Sequence, residues 1–164
     1  MNALAEKVAA RLLARKAMLA TAESCTGGWV SQELTAIAGS SAWFERGFVT
    51  YSNAAKEEML GVSAETLARH GAVSEQVAKE MARGALTHSH AGIALAVTGV
   101  AGPTGGSADK PVGTVCFAWA GAGLPERAET RHFAGDREAV RRQSVERALA
   151  GVLELLTQPD ARPK

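Results

Sequence analysis

The sequence predicts an α/β protein, a three-layer α/β/α sandwich built around a mixed, mostly parallel sheet. Three observations predict it. Segments with apolar residues at helical spacing alternate with short apolar runs through the first two thirds of the chain. The run Ile93–Thr98 is almost continuously apolar, as a strand covered on both faces must be. Two later runs, Val112–Ala120 and Arg127–Phe133, lie close enough to pair as a hairpin, which makes the sheet mixed.

The elements follow in order. Leu4, Val8, Leu12 and Leu13, separated by Glu6, Lys7, Arg11 and Arg15, give an amphipathic helix over residues 2–15. Met18–Ala22 is a short apolar strand that runs into Glu23-Ser24-Cys25-Thr26-Gly27-Gly28. Trp29, Val30 and Leu34 then start a second helix, so this region reads strand, tight turn, helix. After the Gly39-Ser40-Ser41 turn, Trp43–Tyr51 reads as a strand from its aromatic and β-branched content. Ser52 or Asn53 caps a short helix that carries Lys56, Met59 and Leu60 and stops at Gly61. Ser63 and Ser74 read as two further N-caps, and Val77, Met81 and Ala85 form the apolar stripe of the helix after Ser74. The third strand ends in a long Gly-rich loop, Gly99–Lys110, of a length that usually serves a site. Asp136 caps a last helix in which Val145, Leu149, Val152 and Leu156 recur.

At 164 residues the chain suits one domain, placed at 1–157, followed by a disordered tail over 158–164 that contains Pro159 and Pro163. A formal charge of +1 leaves no basic field for nucleic acid or an anionic membrane. Cys25 and Cys116 are far apart and belong to no metal-type or redox-type pair, so two free thiols and no metal are expected. Charges interrupt every apolar run near the N-terminus before a signal-peptide core is reached, and no stretch approaches a membrane span. These absences favour a cytoplasmic location.

Candidate chemistry begins at the Glu23–Gly28 turn. A helix start offers unpaired N–H groups and partial positive charge, and glycines let a phosphate or a developing oxyanion approach them. On spacing alone, a Ser24 or Thr26 that caps the helix explains the motif at least as well. Tyr51 and Lys56 flank a second strand-to-helix turn, and neighbouring parallel strands bring both turns to one sheet edge, where open α/β sheets collect their sites. A confined lysine loses enough pKa to act as a base, and a tyrosine beside it can pass the proton. A solvated Lys56 and a core Tyr51 are the plainer readings. His70, His88 and His90 read as surface residues. Arg137, Arg141 and Arg142 sit in the first turns of the last helix, where positive charge opposes the dipole, a placement that suits an anionic ligand.

Six motifs, Ala22-Glu23-Ser24-Cys25-Thr26-Gly27-Gly28, Gly39-Ser40-Ser41, Tyr51-Ser52-Asn53-Ala54-Ala55-Lys56, Gly71-Ala72-Val73-Ser74, Thr98-Gly99-Val100-Ala101-Gly102-Pro103 and Lys110-Pro111-Val112-Gly113-Thr114-Val115, together resemble the CinA C-terminal domain family. Their order and spacing agree from about Leu4 to Leu156. The chain has no room for the molybdopterin-binding-like domain that precedes this one in longer members, and so resembles the stand-alone nicotinamide-nucleotide amidases. The resemblance implies hydrolysis of nicotinamide mononucleotide to nicotinic acid mononucleotide and ammonia in pyridine nucleotide recycling. It implies Ser24 as nucleophile, Tyr51 and Lys56 as the proton-handling pair, and no cofactor. Thr26, Gly27, Gly28, Ser41, Thr98, Gly99, Gly102 and Arg141 are the expected substrate-binding positions. A homodimer is expected from the resemblance and from Trp43 and Phe44, which look exposed. Cys25 is the rival nucleophile, and a nucleotide-binding module without catalysis is the rival function.

Overall fold

The computed structural model describes residues 1–159. Elements follow in the order α1 (Asn2–Arg15), β1 (Leu19–Glu23), α2 (Trp29–Thr35), a 3-10 turn over Ser40–Ala42, β2 (Phe44–Val49), α3 (Asn53–Leu60), α4 (Ala64–His70), α5 (Glu75–Thr87), β3 (Ile93–Gly99), β4 (Thr114–Gly121), β5 (Leu124–His132) and α6 (Arg137–Leu156). The expected tail lies outside the described residues from 160 onward. Gln158, its first residue, is held to the body of the protein: its carbonyl accepts a hydrogen bond from Arg15 Nη1 at 3.0 Å.

The five strands lie in the order β2-β1-β3-β4-β5. β1 pairs in parallel with β2 and β3, whereas β4 is antiparallel to both of its neighbours. β5 therefore runs with the first three strands, and only β4 opposes them. The expected hairpin is present, with a tighter turn than its composition suggested: Gly121 pairs with Leu124, leaving Ala122 and Gly123 at the bend.

Helices cover both faces, and the faces differ in chemistry. Leu19, Leu95, Val97, Phe117 and Trp119 point towards α1, α2 and α6, where they join Val8, Leu12, Val30, Val145 and Leu149. On the other face the strands present mainly alanine, with Ala20, Ala22, Ala94, Ala96, Ala118 and Ala120 packed against Leu60, Leu67, Val77 and Met81. Short side chains let α5 approach the sheet closely while α3 and α4 pack against α5, and each fully buried Leu or Met contributes roughly 1.5–3 kcal/mol. Gly84 on α5 extends the same logic, since a Cβ there would stand 2.0 Å from the carbonyl oxygen of Leu60. That contact fixes the end of α3, the helix that carries Lys56.

The caps read from sequence form as expected, with Ser52, Ser63, Ser74 and Asp136 each accepting from an N-terminal amide of α3, α4, α5 and α6. Trp43 departs from expectation. It is 2% exposed and belongs to the core beside Leu19, so it offers no aromatic surface to a second copy. Its position just before β2, in a turn rich in small polar residues, hides the fact that the turn folds under α2. None of the described helices is long and apolar enough to cross a membrane.

Candidate active site

The chain leaves β1 towards one face, through α2, and leaves β2 towards the other, through α3 to α5. Such a divergence opens a crevice at the carboxyl ends of the strands. A cavity of about 320 Å³ occupies it, lined by Ser24, Cys25, Tyr51, Asn53, Lys56, Thr98–Gly102 and Arg137 among others. A larger recess of about 470 Å³ adjoins it through Val73 and contains Cys116, His70 and His132, but no hydroxyl paired with a buried amine. The smaller cavity is the one with the reactive geometry.

Its centre is a contact between two turns. Lys56, in the first turn of α3, is 1% exposed, and its Nζ donates to Ser24 Oγ at 3.0 Å and to the Thr50 carbonyl at 2.8 Å. No carboxylate among the described residues pairs with it. Desolvation therefore lowers the Lys56 pKa below the ordinary 10.5, outweighing an opposing influence from Cys25. The shift favours the neutral amine, the form that can take a proton from the serine. The solvated-lysine reading is excluded by the burial.

Tyr51 lines the same cavity without standing between the two groups. It is 61% exposed, and its hydroxyl accepts a hydrogen bond from Arg137 Nη2 at 3.1 Å. Lysine meets serine directly, so a phenolic link between them is not needed in this geometry. Burial pushes the Cys25 thiol up to about 12, which removes it as a thiolate at neutral pH and weakens its claim as rival nucleophile.

The glycine turn is built differently from the expected anion cradle. Gly27 and Gly28 have φ of +58° and +102°, a backbone that L side chains rarely adopt, and this lets the chain reverse from β1 into α2. Their amides are already engaged, however. Gly27 N–H donates to the Ser24 carbonyl, and Gly28 N–H donates to Glu23 Oε1 at 3.2 Å. The hydroxyl of Thr26, a fully buried residue, also donates to Glu23, at 2.7 Å. Thr26, Gly27 and Gly28 thus shape the turn, and the amides of Gly27 and Gly28 are not free to bind substrate.

Three more expected positions fall in place with qualifications. Thr98, Gly99 and Gly102 line the cavity, but the Thr98 hydroxyl donates to the Ala72 carbonyl at 2.9 Å and holds that neighbouring segment. Ser41 does not reach the site. It is exposed in the 3-10 turn before β2, at the amino end of the parallel strands, whereas Ser24 follows the carboxyl end of β1. Arg141 is also displaced from the expected role. Its guanidinium donates to the carbonyls of Cys25 and Thr26, both at 3.1 Å, and lies over the Trp29 ring. The cavity arginine is Arg137, one helical turn earlier, which also donates to the Gly102 carbonyl at 2.8 Å. The sequence puts both arginines in the first turns of the last helix, and only the packing of α6 against the β1 turn separates their tasks.

Glu23 is the residue that sequence reasoning passed over. It is fully buried at the end of β1, and its carboxylate accepts from Thr26 Oγ1 and from the amides of Gly28, Val30 and Ser31, as well as from Ser31 Oγ. The signal was present in the text of the chain: an acid where a strand ends, six residues ahead of a helix, with hydroxyl residues three and eight positions later.

Fold and site together define a three-layer α/β/α domain with a buried serine–lysine pair at the carboxyl edge of its parallel strands. The chain belongs to the CinA C-terminal domain family, whose model matches residues 1–156. It is similar to nicotinamide-nucleotide amidohydrolase PncC of Escherichia coli, with 60% identity over 149 residues that cover 89% of this chain and 88% of the relative. The protein of the same name from Pseudomonas putida is 53% identical over 155 residues, covering 94% of this chain and 96% of that one. Among solved structures, the competence/damage inducible protein CihA from Agrobacterium tumefaciens superimposes with a TM-score of 0.92 at 47% identity, over 96% of this chain and 95% of that one.

Proposed function

We propose that this enzyme hydrolyses the carboxamide of nicotinamide mononucleotide to nicotinic acid mononucleotide and ammonia, with Ser24 as nucleophile and Lys56 as general base. The observation that carries the reading is the 3.0 Å contact between Lys56 Nζ and Ser24 Oγ inside a cavity of nucleotide-compatible size. The names of the amidohydrolases at 53–60% identity supply the substrate.

The reaction is an acyl transfer. Neutral Lys56 takes the Ser24 proton as Oγ attacks the carboxamide carbon; the resulting ammonium then gives a proton to the departing ammonia. Thr50 holds one N–H of the amine through its carbonyl and keeps the nitrogen beside Ser24, where in the neutral amine the lone pair takes the place of the N–H that meets Oγ. Water, activated by the same lysine, releases the acid from the serine ester. The oxyanion needs donors, and those of Gly27 and Gly28 are engaged. Among the described residues no other residue accepts from the amides of Cys25 and Thr26, which follow the nucleophile directly. We assign these two amides to the oxyanion hole from their position next to the nucleophile, with Cys25 at the cavity wall and Thr26 buried behind it.

Binding energy remote from the reacting carbon comes from the phosphate, with Arg137 and the Thr98–Gly102 loop as its partners. Tyr51 lines the cavity and orients Arg137. We place the reaction in cytoplasmic pyridine nucleotide recycling, carried out by a homodimer. The test is ammonia release from nicotinamide mononucleotide by the purified protein, with Ser24→Ala as control. Binding of the nucleotide with no ammonia released would replace this reading with that of a binding module.

A further inference from the structure

We propose that Glu23 and Arg141 act as a two-sided clamp on the nucleophile turn, as positioning residues that fix the peptide planes of Cys25 and Thr26 for oxyanion binding. This inference rests on the hydrolase reading above and adds two residues that touch neither substrate nor Ser24 Oγ.

One side of the clamp removes donors. A strand that runs into a helix start normally leaves several amides open at that point, and a substrate anion would settle there. Here the Glu23 carboxylate takes the amides of Gly28, Val30 and Ser31. The two hydroxyls of Thr26 and Ser31 complete its coordination, and Ser31 Oγ is in turn 2.8 Å from Thr21 Oγ1. A buried carboxylate with five donors and, among the described residues, no cationic partner is costly to move, so the turn that carries Ser24 is rigid. Its negative charge also answers the dipole of α2 and turns a phosphate away from this helix towards Arg137.

The other side removes acceptors. Arg141 reaches from α6 to the carbonyls of Cys25 and Thr26. In a trans peptide the C=O and N–H point in opposite directions. The only cis bond recorded among the described residues is Gly102–Pro103, so the plane joining Cys25 to Thr26 is trans. With the Cys25 carbonyl held by the guanidinium, the Thr26 N–H must face away from Arg141. The charged donor also polarises that peptide and strengthens its N–H as a donor. The Ser24 carbonyl, engaged by Gly27 N–H, orients the Cys25 N–H by the same rule. Among the described residues neither amide donates to another residue, and both are therefore set by hydrogen bonds made on their opposite ends.

The experiment measures kcat and KM for ammonia release from nicotinamide mononucleotide by wild type, Arg141→Ala, Arg141→Lys and Glu23→Gln, each at a temperature well below its own melting point. Misaimed oxyanion donors lower kcat and leave ground-state binding alone, so the expected result is a ~100-fold loss of kcat in Arg141→Ala and Glu23→Gln with KM within about threefold. Arg141→Lys, which can engage one carbonyl, is expected to fall roughly tenfold. If Glu23→Gln does not fold, Thr26→Val and Ser31→Ala each remove one donor from the carboxylate, and the expected effect is a ~3–10-fold fall in kcat at unchanged KM. Folded variants that keep wild-type kcat, or that lose activity through KM alone, overturn the clamp. A wild type that releases no ammonia overturns the hydrolase reading instead, and the clamp with it.

Discussion

Two turns in this protein look alike in sequence and do opposite things. Gly39-Ser40-Ser41 and Ser24-Cys25-Thr26-Gly27-Gly28 both combine serine with glycine between apolar elements. The first precedes β2 and leaves Ser41 exposed at the amino edge of the parallel strands. The second follows β1, leaves Ser24 8% exposed, and sets it against a buried amine. The difference is which end of a parallel strand the turn occupies. Carboxyl ends of neighbouring parallel strands gather at one edge, so a turn there meets the turns of other strands, while a turn at the other edge meets solvent.

The largest way to test this contrast is to remove each hydroxyl. Ser24→Ala is expected to lose more than ~10³-fold in kcat, because nucleophile and base act as a unit, while Ser41→Ala should retain wild-type kinetics. Steady-state ammonia release reads both, and a Ser41→Ala enzyme as poor as Ser24→Ala would break the comparison.

Lys56 comes next. Lys56→Arg should be nearly inactive, since a guanidinium cannot give up its proton at usable pH. In the wild type kcat/KM is expected to rise with pH through the lowered Lys56 pKa and level off above it, with the midpoint below 10.5. The same shift makes Lys56 a cost to stability. In the unfolded chain the amine titrates normally, so between its lowered folded pKa and 10.5 the unfolded state holds more protons and stability increases with pH. Below the folded pKa the penalty is constant and complete. Lys56→Met should therefore raise the melting temperature at neutral pH, by roughly 2–4 °C, while abolishing activity. A lower melting temperature in that variant would contradict the desolvated-amine account.

Arg137→Ala is expected to raise KM for nicotinamide mononucleotide ~10–100-fold with a smaller change in kcat, as loss of a phosphate partner should. The smallest effect is that of Cys25→Ala. With its thiol held up to about 12 the sulfur takes no part in the chemistry, and kcat should stay within about threefold of wild type.

Much of this was legible in the chain. The apolar run Ile93–Thr98, the serine caps and the stripe through α5 each depend on local patterns, and each forms as read. What stayed hidden depended on contacts between distant segments. Lys56 looks like any helix lysine until α3 folds over the alanine face of the sheet and buries it. Arg137 and Arg141 are equivalent by helical spacing, and only the seat of α6 against the Ser24 turn makes one a cavity residue and the other a strut. The glycine turn misled for a related reason: its amides are open in every local reading, and it takes the buried Glu23 carboxylate to fill them.

The claim on which the rest depends is that Ser24, activated by Lys56, becomes acylated. The most direct measurement is the mass of peptides from protein quenched during turnover of nicotinamide mononucleotide. The account predicts a nicotinoyl nucleotide ester on the peptide that contains Ser24, localised to its Oγ and absent from Ser24→Ala. An adduct on Cys25, or ammonia release at the wild-type rate by Ser24→Ala, would contradict it.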